Sequence, residues 1–131
     1  MLYKELLESA FKAMNNAYAP YSNYHVGSAV LCNDGKVFLG ANVENASFGA
    51  TNCGERTALF AAYANGYRKD DIQAIAIVTN GKKLAAPCGI CRQVISELLN
   101  KNTPIILSNK LETKETNIEE LLPFMFGQED L

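Results

Sequence analysis

Three of the four cysteines stand where the sequence predicts that helices begin. Cys88 and Cys91 form a Cys-x-x-Cys pair at the start of one predicted helix, and Cys53 opens another. Helix N-termini favour thiolates, because their N–H groups are unsatisfied and the helix dipole is positive there. A Zn–S bond of about 2.3 Å places the sulfurs of a tetrahedral site about 3.8 Å apart. The spacing therefore predicts a metal site, with zinc as the metal.

The same residues distinguish a catalytic zinc site from a structural one. Three protein ligands leave the fourth position for water, whereas structural zinc normally has four protein ligands. Glu55 follows Cys53 by two residues, so its carboxylate can lean toward that water and transfer protons. An acid in a first turn also stabilises the helix dipole. The main alternative is a non-catalytic zinc-stabilised interaction domain, which would need Cys32 as its fourth ligand; we expect Cys32 to be a buried small hydrophobe instead.

Other kinds of site find little support. The single histidine, His25, excludes the H-E-x-x-H metalloproteases, and its alternating surroundings predict an ordinary strand residue and not a catalytic base. No phosphate-binding glycine motif occurs. Twelve basic and 14 acidic residues give a formal net charge of −2. That balance argues against a long nucleic acid as partner, since phosphate binding needs an excess of clustered cations.

Length and composition predict one domain, residues 1–131. Hydrophobic residues make up 48% of the chain, enough for a core. The longest apolar run, 58–64, is too short for a membrane span. The first eight residues interleave acids with leucines, unlike a secretion signal, so we expect a cytoplasmic protein.

The elements that must position the cysteines follow from periodicity and turn residues. Pro20 ends the first helix, Asn33-Asp-Gly35 joins two hairpin strands, and Thr51 or Asn52 caps the second helix, which Gly66 closes. This alternation predicts a three-layer α/β/α sandwich. The predicted elements are a helix at 2–18, strands at 25–32 and 36–43, a helix from 53, a strand at 72–78, a helix at 88–99, strands at 104–107 and 113–116, and a helix at 118–122 capped by Asn117.

The sequence resembles that of the small zinc-dependent cytidine deaminases along nearly the whole chain. The resemblance implies that family's mixed five-stranded sheet and its homotetramer. The motifs that carry it are Ala19-Pro-Tyr-Ser22, Val26-Gly27, Asn42-Val-Glu-Asn45, Cys53-Gly-Glu-Arg-Thr-Ala58, Pro87-Cys-Gly-Ile-Cys-Arg-Gln93 and Glu119-Glu-Leu-Leu-Pro123.

The resemblance also implies a reaction. Cys53, Cys88 and Cys91 would bind one Zn²⁺ per chain, and a zinc-activated hydroxide would attack C4 of the pyrimidine. Glu55 would take the proton of the water, donate it at N3 and help ammonia leave. The implied reaction converts cytidine and 2′-deoxycytidine to uridine and 2′-deoxyuridine in pyrimidine salvage.

Binding roles follow from the same resemblance. Asn42 and Glu44 match the residues that hold the ribose 3′-hydroxyl, and the backbone at Gly54 should contact the base. Tyr24 and Phe126 occupy positions of stacking phenylalanines, with Phe126 reaching in from a neighbouring subunit. A deaminase of the antibiotic blasticidin S shares the zinc motifs and is the rival enzyme; the ribose-reading pair argues against it.

The charge of the site predicts a role for Arg56. Three thiolates and Zn²⁺ sum to −1, which weakens the metal as a Lewis acid. A guanidinium that hydrogen-bonds a cysteine sulfur would offset this charge.

Three positions depart from the usual family pattern. Gly54 replaces a common alanine and loosens its turn, and Tyr24 adds a hydroxyl to a stacking position. Phe48 stands where a tyrosine often contacts the sugar 5′-hydroxyl.

Overall fold

A five-stranded mixed sheet forms the centre of the computed structural model, which describes residues 3–84 and 86–131. The strand order is β2-β1-β3-β4-β5. β3 and β4 pair in parallel, and the other neighbours are antiparallel. The predicted mixed five-stranded sheet is therefore confirmed. The strands are β1 Val26–Cys32, β2 Val37–Ala41, β3 Ile72–Thr79, β4 Ile105–Ser108 and β5 Thr113–Thr116.

Helices cover both faces of this sheet, as the predicted α/β/α sandwich requires. α1 packs on one face, and α2 and α3 pack on the other. No helix in the described part of the chain is both long and apolar enough to cross a membrane. The helices are α1 Tyr3–Met14, α2 Gly54–Ala64, α3 Gly89–Leu98 and α4 Ile118–Leu121, with short 3-10 turns at Phe48–Ala50, Lys69–Asp71 and Gln128–Asp130.

The central strand β3 contributes to the core on both sides. Ile75 and Ile77 belong to the core beneath α2 and α3, whereas Ala74, Ala76 and Val78 belong to the core beneath α1. A strand covered on both faces has a nearly continuous apolar sequence. The predicted central strand is thus confirmed.

Two glycines let helices lie directly on the sheet. A Cβ at Gly40 would lie 2.3 Å from the carbonyl oxygen of Gly54 and 2.5 Å from the nitrogen of Ala58. A Cβ at Gly27 would lie 2.1 Å from the carbonyl oxygen of Ala10. Gly40 therefore sets how closely the first turns of α2, which follow Cys53, approach β2.

The first helix ends earlier than its apolar periodicity predicts. It stops at Met14 and not at Tyr18, because the chain then pairs with the segment after β2. Tyr18 N donates to Asn42 O at 2.9 Å, and Glu44 N donates to Tyr18 O at 2.8 Å. These long-range hydrogen bonds replace the last helical turn that periodicity alone favours.

The predicted cap of α2 is also wrong by one or two residues. Cys53 occupies the N-cap position, with extended backbone and no side-chain cap. The main chain of Asn52 forms an antiparallel bridge with Val43, with both N–H···O distances 3.0 Å, and its side-chain Nδ2 donates to Thr57 Oγ1 at 2.9 Å. The predicted end is confirmed, since Gly66 has φ +92° and donates to the carbonyl of Tyr63.

Candidate active site

Two helix N-termini bring three sulfurs together. Cys53 occupies the N-cap position of α2, Cys88 occupies that of α3, and Cys91 lies in the first turn of α3. Their Sγ atoms all lie within 4.8 Å of one another, and the Cys53–Cys88 Sγ distance is 3.8 Å. Sulfurs of a tetrahedral zinc site are spaced about 3.8 Å apart, and thiolates are ligands that zinc prefers. The cluster therefore has the donor set and spacing that suit Zn²⁺.

The fourth cysteine lies elsewhere. Cys32 ends β1 in the core beneath α2 and has no exposed surface. Burial, with smaller contributions from Asp34 and Asp71, raises the pKa of its thiol to about 11. The prediction of a buried small hydrophobe is confirmed, and the structural-zinc alternative has no fourth ligand in Cys32.

The three clustered thiols share their protons unequally. Hydrogen bonds from Cys91, Arg56 and Cys88 lower the pKa of Cys53 to about 5. The hydrogen bond to Cys53 and burial raise the pKa of Cys91. Arg56 Nη2 lies 3.5 Å from Cys53 Sγ, and the backbone N–H of Cys91 donates to Cys88 Sγ at 3.4 Å. A cation therefore hydrogen-bonds Cys53 Sγ, and a helix N-terminus hydrogen-bonds Cys88 Sγ. Both kinds of contact stabilise the thiolate form.

Glu55 is a buried carboxyl group beside this cluster. Its side chain is 4% exposed, and Oε1 has no hydrogen-bond partner among the described residues. Burial raises the pKa of Glu55 to about 7. A buried acceptor without a partner is costly, so this oxygen is suited to accept or give a proton within the pocket.

One cavity of about 250 Å³ joins Glu55 and two of the sulfurs to the predicted sugar residues. The predicted site residues that line it are Tyr24, Asn42, Glu44, Cys53, Glu55 and Cys88. The lining residues that sequence reasoning missed are Val26, Thr51, Asn52, Ile77 and Ala86.

The local sequence patterns at the missed residues predict structural roles and not a place in the pocket. Val26 and Ile77 lie on strands, where apolar residues indicate core. Thr51 and Asn52 are predicted helix caps. Their place in the pocket depends on the bridge between Asn52 and Val43, which no local pattern predicts.

Asn42 is fixed by two main-chain hydrogen bonds. Its Nδ2 donates to Tyr24 O at 2.8 Å, and its Oδ1 accepts from Val26 N at 2.9 Å. The side chain is buried. A side-chain amide has two N–H donors and an oxygen with two lone pairs, so Asn42 keeps one donor and one acceptor site for a ligand.

Glu44 is held as a carboxylate by the turn at residues 21–22. Its Oε1 accepts from Tyr21 N at 2.9 Å and Ser22 N at 3.1 Å, and its Oε2 accepts from the hydroxyl of Ser22. The Ser22 hydroxyl, followed by the two backbone donors, lowers the pKa of Glu44. Carboxylate oxygens offer about four acceptor sites, so Oε2 retains one for a further donor.

The remaining predicted residues divide by location. Tyr24 is 39% exposed at the pocket wall. Gly54 is buried, and a Cβ there would lie 3.2 Å from the carbonyl oxygen of Val26. Phe126 lines a different cavity, beside the end of α3, and does not reach the pocket of its own chain. His25 precedes β1, so its predicted place within the strand is wrong.

Phe48 lies in a cavity next to the pocket. It is 78% exposed and packs edge to face against Tyr21, with ring centroids 6.4 Å apart. This second cavity shares Glu44 and Thr51 with the pocket that holds the cysteines.

Comparison with known proteins agrees with this site. Residues 2–107 match the family described as the cytidine and deoxycytidylate deaminase zinc-binding region. A cytidine deaminase of Halalkalibacterium halodurans is 49% identical over 127 residues, which cover 96% of this chain and 95% of that protein. A cytidine deaminase of Sporosarcina psychrophila is 43% identical over 129 residues, covering 98% and 93%. A crystal structure of cytidine deaminase from Burkholderia pseudomallei has 49% identity and a TM-score of 0.92, covering 96% of this chain and 100% of that chain. The chain therefore belongs to the zinc-dependent cytidine deaminase family.

Proposed function

We propose that this zinc-dependent deaminase converts cytidine and 2′-deoxycytidine, with water, to uridine and 2′-deoxyuridine and ammonia. The observation that carries the proposal is Glu55, which lines the same pocket as Cys53 and Cys88 and has a buried oxygen with no hydrogen-bond partner among the described residues. The relatives that match nearly the whole chain are cytidine deaminases. A pyrimidine base that enters this pocket would lie beside both the zinc bound by the cysteines and the carboxyl group of Glu55.

Glu55 transfers the protons of the reaction. Zinc held by Cys53, Cys88 and Cys91 supplies Lewis acidity that makes water a nucleophile near neutral pH. Glu55 accepts a proton from the attacking water and donates it to N3 of the ring. It then assists proton transfer to the amino group, which leaves C4 as ammonia while the C4 carbonyl forms. Its burial keeps bulk water from competing for these protons.

Asn42 and Glu44 bind the sugar in this proposal. Each keeps a free hydrogen-bonding site after its contacts within the chain. An amide and a carboxylate can bracket the 3′-hydroxyl, because Asn42 can donate to its oxygen and Glu44 can accept its proton. Neither contact requires a 2′-hydroxyl, so ribose and deoxyribose are both accepted.

Aromatic rings hold the flat base. Tyr24 stacks from the chain that supplies the zinc site, and Phe126 stacks from a neighbouring subunit of a homotetramer. The position of Phe126 outside its own pocket supports this sharing. Gly54 places its backbone beside the base next to Val26.

Arg56 offsets the negative charge of the three thiolates. Its guanidinium Nη2 donates a hydrogen bond to Cys53 Sγ at 3.5 Å. Charge-assisted hydrogen bonds of this kind draw electron density from sulfur and keep the metal a stronger Lewis acid.

The activity suits a single catalytic domain, residues 1–131, that recovers pyrimidine nucleosides in the cytoplasm. The residues proposed to bind substrate come from the segment before β1, the segment after β2, the first turn of α2 and the C-terminal segment. A single domain therefore contains every residue proposed to bind substrate. Phe126 of each chain contributes to the pocket of a second copy.

The deciding experiment is a substrate panel with zinc-loaded protein. We expect loss of the cytidine absorbance band with release of ammonia for cytidine and deoxycytidine, and much slower reaction with CMP and blasticidin S. A preference for blasticidin S would replace the nucleoside proposal, and inertness toward all four would overturn it. Protein treated with a chelator serves as the control, and activity that returns with added Zn²⁺ ties the reaction to the metal.

A further inference from the structure

Arg92 joins two distant parts of the main chain beside the zinc site. It follows Cys91 in α3, and its side chain is partly buried. Its Nε donates to the carbonyl oxygen of Pro87 at 2.7 Å, and its Nη1 donates to that of Leu121 at 2.5 Å. Pro87 directly precedes Cys88, and Leu121 ends α4. The guanidinium thus connects the loop that carries a metal ligand to the C-terminal segment.

The loop held by Arg92 connects β3 to α3. Its described residues, 80–84 and 86–88, lie outside any helix or strand. Pro87 has no N–H, so its carbonyl is the hydrogen-bonding group that its main chain offers, and Arg92 occupies it. Cys88 is exposed, whereas Cys53 is half-buried and Cys91 is buried. Packing therefore restrains Cys88 less than it restrains the other two ligands.

The other end of the contact is also anchored on α3. The carbonyl of Leu121 lies at a helix end, where no intrahelical N–H is available. The next side chain, Gln93, donates its Nε2 to the carbonyl oxygen of Phe126 at 2.9 Å. Two successive side chains of α3 therefore hold the C-terminal segment against the helix that supplies two sulfurs.

We propose that Arg92 is a positioning residue for the zinc site. It clamps the Pro87 peptide against the end of α4 and so keeps Cys88 Sγ in place beside the sulfurs of Cys53 and Cys91. A guanidinium suits this task because its planar set of donors reaches two carbonyls at once, which an ammonium does not match. The proposal rests on the zinc site and adds to it a residue that does not touch substrate.

The test measures retention of metal and not activity. Zinc-loaded wild type, Arg92→Gln and Arg92→Lys are mixed with a chromophoric chelator, and the rate of zinc transfer is followed. Partners behind metal ligands typically change metal affinity by about 10–100-fold, so Arg92→Gln should release zinc at least about 10-fold faster. Arg92→Lys should fall between wild type and Arg92→Gln, since its amine reaches one carbonyl. Cobalt-substituted Arg92→Gln should also show altered absorption bands, because Cys88 is less constrained.

Arg68→Gln is the matched control. Arg68 also donates to two main-chain carbonyls, those of Tyr63 and Tyr67, but at the opposite end of α2 from the cysteines. Its zinc release should stay within about twofold of wild type even where its unfolding temperature falls.

Equal release by Arg92→Gln and wild type, or equal acceleration by Arg92→Gln and Arg68→Gln, would overturn the proposal. If Arg92→Gln does not fold, Arg92→Lys carries the test, with about threefold faster release expected and unchanged release contradicting the clamp. A wild-type protein that holds no zinc would overturn both the clamp and the zinc site. Zinc held normally by a protein inactive on nucleosides would overturn only the proposed substrate.

Discussion

Glu55 and Arg56 are adjacent on α2, and both have a buried polar atom without a partner among the described residues. The atoms are Glu55 Oε1 and Arg56 Nε. Leaving such groups unpaired costs about 1–3 kcal/mol each, so folding alone does not favour them. Arg56 still contacts Cys53, whereas Glu55 lines the pocket that also contains Cys53 and Cys88. The two residues are therefore expected to contribute to activity at the expense of stability.

Replacement of Glu55 by Gln should separate catalysis from binding. The amide is nearly isosteric but cannot carry the proton, and general acid–base groups contribute about 10²–10⁴-fold. We expect Glu55→Gln to keep its zinc and cytidine binding while losing at least about 10³-fold in turnover, measured by steady-state kinetics and metal analysis. Glu97→Gln, an exposed change on α3, is the control. Near-normal turnover by zinc-loaded Glu55→Gln would remove Glu55 from the mechanism.

Ser22 is expected to set the ionisation of Glu44. Its hydroxyl donates to Glu44 Oε2 and stabilises the charged form. Ser22→Ala should therefore raise the pKa of Glu44, although the backbone donors of residues 21 and 22 remain. Because the folded-state pKa is lowered, the stability gained from Glu44 is present above its unfolded pKa and is lost as pH falls through the folded value.

Carboxyl-resolved NMR titration measures this effect. In Ser22→Ala the Glu44 resonance should titrate at higher pH than in wild type, and KM for cytidine should rise. Ser47→Ala, on an exposed serine whose hydroxyl makes no hydrogen bond to Glu44, should leave both unchanged. An unshifted Glu44 titration in Ser22→Ala would show that the backbone N–H groups suffice.

At the scale of elements, the contact between α2 and β2 determines where Cys53 and Glu55 lie. The absence of a side chain at Gly40 makes this contact possible. The glycine therefore acts on the site through the position of a helix and not through any group of its own.

Gly40→Ala should destabilise the fold. Its methyl group would meet main-chain atoms of α2 at 2.3 and 2.5 Å, and overpacking of this kind costs about 1–3 kcal/mol, occasionally more. We expect a loss of about 3 kcal/mol in the free energy of unfolding, measured by urea denaturation. Gly49→Ala, where nothing lies within 4 Å of the added Cβ, should change it by less than about 0.5 kcal/mol. Equal stability of the two variants would show that α2 moves aside at little cost.

At the scale of the whole molecule, the C-terminal segment exposes apolar rings. Phe124 is fully exposed, and Phe126 is 56% exposed. Exposed apolar groups that cluster on a surface often mark an interface. A second copy that covers them would also bring Phe126 to another pocket.

Deletion of residues 124–131 should therefore reduce assembly and activity together. Sedimentation velocity measures the assembly, and cytidine turnover per zinc measures the activity. Leu111→Ala, at an apolar residue that is 80% exposed elsewhere, should leave both unchanged. A truncated chain that is monomeric and fully active would show that each site is complete within one chain.

Sequence patterns predicted the elements best where a local rule and burial agree. β3 follows from its apolar run, α4 from its Asn117 cap, and the end of α2 from Gly66. Periodicity misplaced the end of α1, because the hydrogen bonds of Tyr18 are to residues more than 20 positions away. Local patterns carry no information about such partners.

By itself the sequence determined the donor set of this protein: three cysteines at predicted helix starts, an acid two residues after one of them, and a single histidine, too few for an H-E-x-x-H zinc site. Thiolate preference at helix N-termini and zinc coordination are properties of residue type and local spacing, so they can be inferred without coordinates. Tertiary structure alone decided that the sulfurs lie within 4.8 Å of one another and that one oxygen of Glu55 is buried with no hydrogen-bond partner among the described residues. The tertiary structure also brings the Arg92 guanidinium within hydrogen-bonding distance of the carbonyl oxygens of Pro87 and Leu121. These distances depend on how the helices pack on the sheet, and residues far apart in the chain set that packing.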